Sequence, residues 1–222
     1  MQFRPPGSPA GTWPHTDWQH CTFLDPYERV NVWSHGIPGL VFLVSGLISI
    51  YTLSPKNRAT FLPLAIFLLC ASTTHLLSCL THVYPDDHVL EKIDHIGIVA
   101  LIVGTPLTAV MARRPGHPIT TTVFCALALL ICAAFPPTAR TLGFVVVGAI
   151  LVISHWFIMN PLFAVEMVLY SACALCFLRG QGHTRLGVTW LSDHHFLHYF
   201  TTSASLIHVI YILNEKKEIK SE

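Results

Sequence analysis

Charge is scarce in this sequence. Lysine and arginine together number 13 and the acids 12, so charged side chains make up 11% of the 222 residues, against about 25% in a soluble domain. A chain so poor in charge cannot dress a water-facing surface. The charges nearly cancel, to a net +1, so the basic footprint of a nucleic-acid binder is missing and no nucleic-acid partner is expected. A paired cysteine framework is missing too. The seven cysteines, at 21, 70, 79, 125, 132, 173 and 176, are odd in number and lie mostly in apolar runs, which argues against a disulfide scaffold. Cys173 and Cys176 form a CxxC, but inside an apolar helical pattern, where they read as small packing residues. The first thirty residues are polar and proline-rich, with no apolar stretch. No cleavable signal peptide is expected, and the first membrane helix must direct its own insertion.

Apolar residues, at 52%, are abundant. A membrane span needs about 20 of them in sequence, and that ruler predicts helices over residues 33–53, 61–80, 95–112, 119–135, 141–159, 162–178 and 192–213. The apolar runs are continuous where barrel strands would alternate. The expected fold is therefore an all-α integral membrane protein, a seven-transmembrane helix bundle over 33–213, with a polar N-terminal segment over 1–32 and a polar C-terminal tail over 214–222. Asn160-Pro161 is either a link or a kink. Charge does not orient the bundle. Arg4, Arg29, Lys92, Arg140, Arg179 and Arg185 on one side face Lys56, Arg58, Arg113, Arg114, Lys216, Lys217 and Lys220 on the other.

Histidine is the excess. The 14 histidines outnumber lysine and arginine combined. Polar groups inside spans are costly and mark function. With seven spans, Glu28, Asn31 and His35 at the start of the first, Ser72 and His75 near the end of the second, Asp94 at the start of the third, and His194 and His198 at the start of the seventh all lie towards one membrane face. His194 and His198 are spaced i, i+4 and share a helix face. A third imidazole would complete a three-histidine zinc site with one open position, and His75, about one turn inside the second helix, is the expected third ligand. His155 and His208 read as hydrogen-bonded interior residues, His195 as pointing away from the pair, and His82, His88 and His117 as solvated link residues. Glu166, inside the sixth span, is either protonated or paired with a histidine.

These motifs resemble those of the progestin and adipoQ receptor family and its bacterial relatives, the haemolysin III proteins. Glu28-Arg-Val-Asn31-Val-Trp33-Ser34-His35 is similar to the family's E-x-x-N-x-W-[ST]-H opening. Ser72-Thr-Thr-His75, Asp94-His-Ile-Gly97-Ile and His194-His-Phe-Leu-His198 with Ser203 and His208 resemble its later segments, in order along the chain. The resemblance implies a seven-helix bundle in the plasma membrane or an endomembrane, with a cytoplasmic N-terminus. It implies zinc held by His75, His194 and His198 near the cytoplasmic face, with Asp94 and Ser72 beside it as catalytic groups. The sequence also departs from the pattern. The family serine sits four residues before the second-helix histidine, whereas position 71 is Ala and Ser72 is three before. The interval from His75 to Asp94 is about two residues longer than usual, and His82 is the runner-up third ligand.

By resemblance to the alkaline ceramidases, the leading expectation is a zinc amidohydrolase acting on a lipid amide such as ceramide, among membrane lipids as partners. Zinc would polarise the amide carbonyl and the attacking water, and Asp94 would carry the proton. Gly97, Ala100 and Gly104 would either leave room for an acyl chain or allow close helix packing. Two other readings are a non-catalytic receptor with structural zinc and a proton-linked transporter using His155, Glu166 and His208.

Overall fold

The structure, a computed structural model, describes residues 18–55, 57–85, 87–113, 119–180 and 192–219. After a π-helical turn at His20–Leu24, the chain forms α1 (Glu28–Tyr51), α2 (Arg58–Val83), α3 (His88–Arg113), α4 (Thr120–Ala133), α5 (Pro137–Ser154), a 3-10 turn at Trp156–Ile158, α6 (Pro161–Gly180) and α7 (Asp193–Ile219). Five of these, α1, α2, α3, α6 and α7, are long and apolar enough to cross a membrane; α4 and α5 are shorter apolar helices. The molecule is a multi-pass integral membrane protein built as a helical bundle. Asn160-Pro161 is a link rather than a kink, since a 3-10 turn separates α5 from α6.

Several helix starts follow from capping chemistry. The Asp25 carboxylate accepts the backbone N–H groups of Tyr27 and Glu28, which starts α1 at residue 28, earlier than its apolar run begins. Asp87 accepts from Val89 and Leu90 ahead of α3. Asn160 accepts from Phe163, with Pro161 at the first helical position. Ser192 opens α7 reciprocally: its hydroxyl accepts from the His195 N–H, and its own N–H donates to His195 Nδ1. This is a capping box with histidine in the place of glutamate.

The helices pack inside out relative to a soluble protein. Ile37, Leu40, Val44 and Leu47 of α1 are exposed, as lipid contact requires, while Asn31, His35, His75, His198 and His208 are buried. Packing is closest where glycines face a neighbour. A Cβ on Gly39 would lie 2.8 Å from Leu76, one on Gly97 3.2 Å from the Thr74 Cα, and one on Gly104 2.8 Å from the Cys70 Cβ. Gly97 and Gly104 therefore bring α3 against α2 and leave no acyl-chain space there, and Thr74 fastens the approach by donating to the Gly97 carbonyl at 2.6 Å. One apolar core joins Phe42, Phe67, Leu101, Phe163 and Tyr211; a second, of Val99, Leu129, Phe144 and Leu151, seats α4 and α5 against α3.

Candidate metal centre

The start of α1, the end of α2, the start of α3 and the start of α7 converge, as their polar residues predict. Three imidazoles meet there. His194 Nε2 lies 2.9 Å from His82 Nε2 and 3.1 Å from His198 Nε2. Among the described residues, His82, His194 and His198 form a group whose ligand atoms all lie within 4.8 Å of one another. Nitrogens of three neutral rings aimed at one point do not satisfy one another well, because a single N–H serves only one lone pair. A cation serves all three. An all-imidazole donor set suits zinc, so these residues fit the metal that the sequence points to.

The structure brings His82, not His75, to the α7 pair. His82 is no solvated link residue: it lies within α2 and is buried. His75 lies seven residues earlier on the same face of α2, about 10 Å deeper. Its ring is already bonded, Nδ1 donating to the Ala71 carbonyl at 2.8 Å and Nε2 accepting from the Thr202 hydroxyl at 3.1 Å. His35 lies between the layers, stacked on His198 with centroids 3.6 Å apart and 4.5 Å from the His75 ring. Ser72 does not face the three histidines; its hydroxyl donates to the Gly39 carbonyl. Ser78 takes the place expected of Ser72, within hydrogen-bonding reach of Asp94, whose carboxyl also lies in the field of His82 and Arg140. Ser78 precedes His82 by four residues, the serine-to-histidine spacing that Ser72 and His75 lack. That spacing is the signal in the sequence that points to both residues.

The other histidines have separate partners. His195 caps α7, and its Nε2 donates to the Tyr27 carbonyl at 3.1 Å, tying α7 to the entrance of α1. His208 Nδ1 meets Glu166 Oε2 at 2.8 Å and its Nε2 meets Thr108 at 2.9 Å, so the buried acid of the sixth helix is paired. His155 donates to the Leu151 carbonyl and reaches Thr122. Cys173 is a buried packing residue whose thiol faces Thr201 and the Leu197 carbonyl. His117 lies outside the described residues.

A family model described as haemolysin-III related matches residues 24–209. No curated protein matches the chain.

Proposed function

The chain belongs to the haemolysin-III-related family, which includes adiponectin receptor-like proteins, and from that premise we propose that it is a seven-helix, zinc-dependent hydrolase of lipid amides, with ceramide as the model substrate. The observation that carries this reading is the meeting of three imidazole nitrogens beside a carboxyl group inside an apolar bundle. When bound, zinc would supply Lewis acidity to the amide carbonyl and the attacking water. Asp94 takes the proton released as water adds to the carbonyl, and returns one to the departing amine. Amide and water thus become fatty acid and amine. Ser78 holds the Asp94 carboxyl in place. The exposed apolar faces of the helices set the site among lipid chains, and the N-terminus and metal centre face the cytoplasm, as the family resemblance implies.

Zinc stoichiometry in purified, detergent-solubilised protein tests this. Wild type is expected to carry about one zinc per chain, by the single-site geometry. His82→Ala and the His194→Ala/His198→Ala double variant are expected to lose it, and His75→Ala to keep it. Fatty-acid release from ceramide should fall with the zinc and also in Asp94→Asn. Zinc lost from His75→Ala but kept in His82→Ala would restore His75 as the ligand. A zinc-free, well-folded wild type would end the hydrolase reading. The burial of the donors, with His198 at 0% and His82 at 8% exposure, favours a second reading, a receptor in which the zinc is structural. That reading predicts zinc without turnover.

A further inference from the structure

Helix α1 supplies no donor to the three-histidine group, yet it touches two of its members from behind. Glu28, Asn31 and Ser34 are spaced by three and form one stripe along α1. Glu28 Oε2 lies 2.8 Å from His82 Nδ1 and also accepts from the Asn31 side-chain amide at 3.3 Å. A carboxylate oxygen has no proton to give and can only accept, so the ring proton of a neutral His82 sits on Nδ1. Ser34 Oγ lies 3.0 Å from His198 Nδ1, and its hydroxyl donates to the Asn31 carbonyl at 3.1 Å. A serine hydroxyl has one proton. With that proton committed to the carbonyl, the oxygen can only accept from His198, whose proton therefore also sits on Nδ1.

We propose that Glu28 and Ser34 are positioning residues that fix both histidines as Nδ1–H tautomers, so that their Nε2 lone pairs face one point together with His194 Nε2. The proposal rests on the zinc reading above and adds to it the element that prepares the ligands. In water a neutral imidazole distributes its proton over both nitrogens and must be caught in the right form. Here two acceptors on one helix stripe make the choice before any ion arrives. A carboxylate behind His82 also raises the basicity of that ligand. The alternation of Glu28, Asn31 and Ser34 in the opening motif acquires a physical reason: Asn31 serves both acceptors, its side-chain amide engaging the Glu28 carboxylate and its carbonyl the Ser34 hydroxyl.

The test is zinc affinity by chelator competition in the full-length protein, with ring nitrogen NMR of the zinc-free form. Glu28→Leu and Ser34→Ala, which each remove the acceptor, are expected to weaken zinc binding roughly 10–100-fold, the usual effect of removing such a partner. Ser34→Thr, which keeps an acceptor oxygen, should bind as wild type does. In zinc-free wild type, His82 and His198 should show protonated Nδ1 and unprotonated Nε2, with His198 losing that preference in Ser34→Ala. Wild-type affinity in both Glu28→Leu and Ser34→Ala, alongside zinc loss in His82→Ala, would overturn the positioning role and leave the zinc reading standing. Mixed tautomers in the zinc-free wild type would overturn it independently of affinity. A wild type that takes up no zinc would overturn both.

Discussion

Single histidines sort by what their two ring nitrogens touch. In His75, His155, His195 and His208 both nitrogens meet protein partners. In His82 and His198 one nitrogen is held and the other faces the shared point, and that difference separates candidate ligands from framework. The His208–Glu166 pair is the sharpest framework case, because both side chains have 0% exposure. Breaking such a pair strands one polar group in an apolar interior and costs about 3–5 kcal/mol, whereas replacing both members by apolar residues is often neutral. Glu166→Ala is therefore expected to lower the thermal unfolding temperature in detergent far more than Glu166→Leu combined with His208→Phe. Equal losses in the two variants would show that the pair is not coupled. Wild-type zinc content in Glu166→Ala would agree with its place outside the metal group.

At the scale of helices, contacts rather than propensity decide the arrangement. Gly97 and Gly148 are both helical glycines, yet an added methyl would press on the Thr74 backbone at one and meet nothing within 4 Å at the other. Gly97→Ala is expected to destabilise the α2–α3 pair by about 1–3 kcal/mol through overpacking. Gly148→Ala is expected to stabilise α5 by roughly 0.5–1 kcal/mol through reduced backbone entropy of the unfolded chain. Thermal unfolding of the two variants, measured side by side, checks the opposite signs. Helix type and order were legible from apolar runs. Several ends were not, because they depend on single caps: Asp25 draws α1 back to Glu28, and the Ser192–His195 box starts α7 at Asp193.

For the whole molecule, α4 and α5 decide the number of crossings. Both are short, α4 having 14 residues, about 21 Å at 1.5 Å per residue. Two contacts fix how they lie against the rest of the bundle. Arg140, at the start of α5, lies 3.7 Å from Glu91 at the start of α3, and Thr122, at the start of α4, reaches His155 at the end of α5. α4 thus returns the chain to the end of the bundle where α3 starts. A tag inserted between Phe135 and Pro136 is expected on the same side as an N-terminal tag, and a C-terminal tag on the other, when protease is added to sealed vesicles. A Phe135 tag found on the C-terminal side would make α4 and α5 a hairpin and reduce the spans to five.

The bilayer as solvent, the all-helical bundle, the i, i+4 pair in α7 and the gathering of polar residues towards one face were determined by the sequence alone. Each follows from composition, from a run length or from a local period. The third histidine was not. His75 and His82 lie seven residues apart, nearly two full turns, so helical periodicity places both on the same face of α2 and cannot choose between them. The choice is made by the axial register of α2 against α7, which the glycine contacts with α1 and α3 and the Tyr27–His195 tie set through space. The same holds for Glu28 and Ser34. Their residue types show that they can accept a proton, but only the packing of α1 behind His82 and His198 shows whose proton it is.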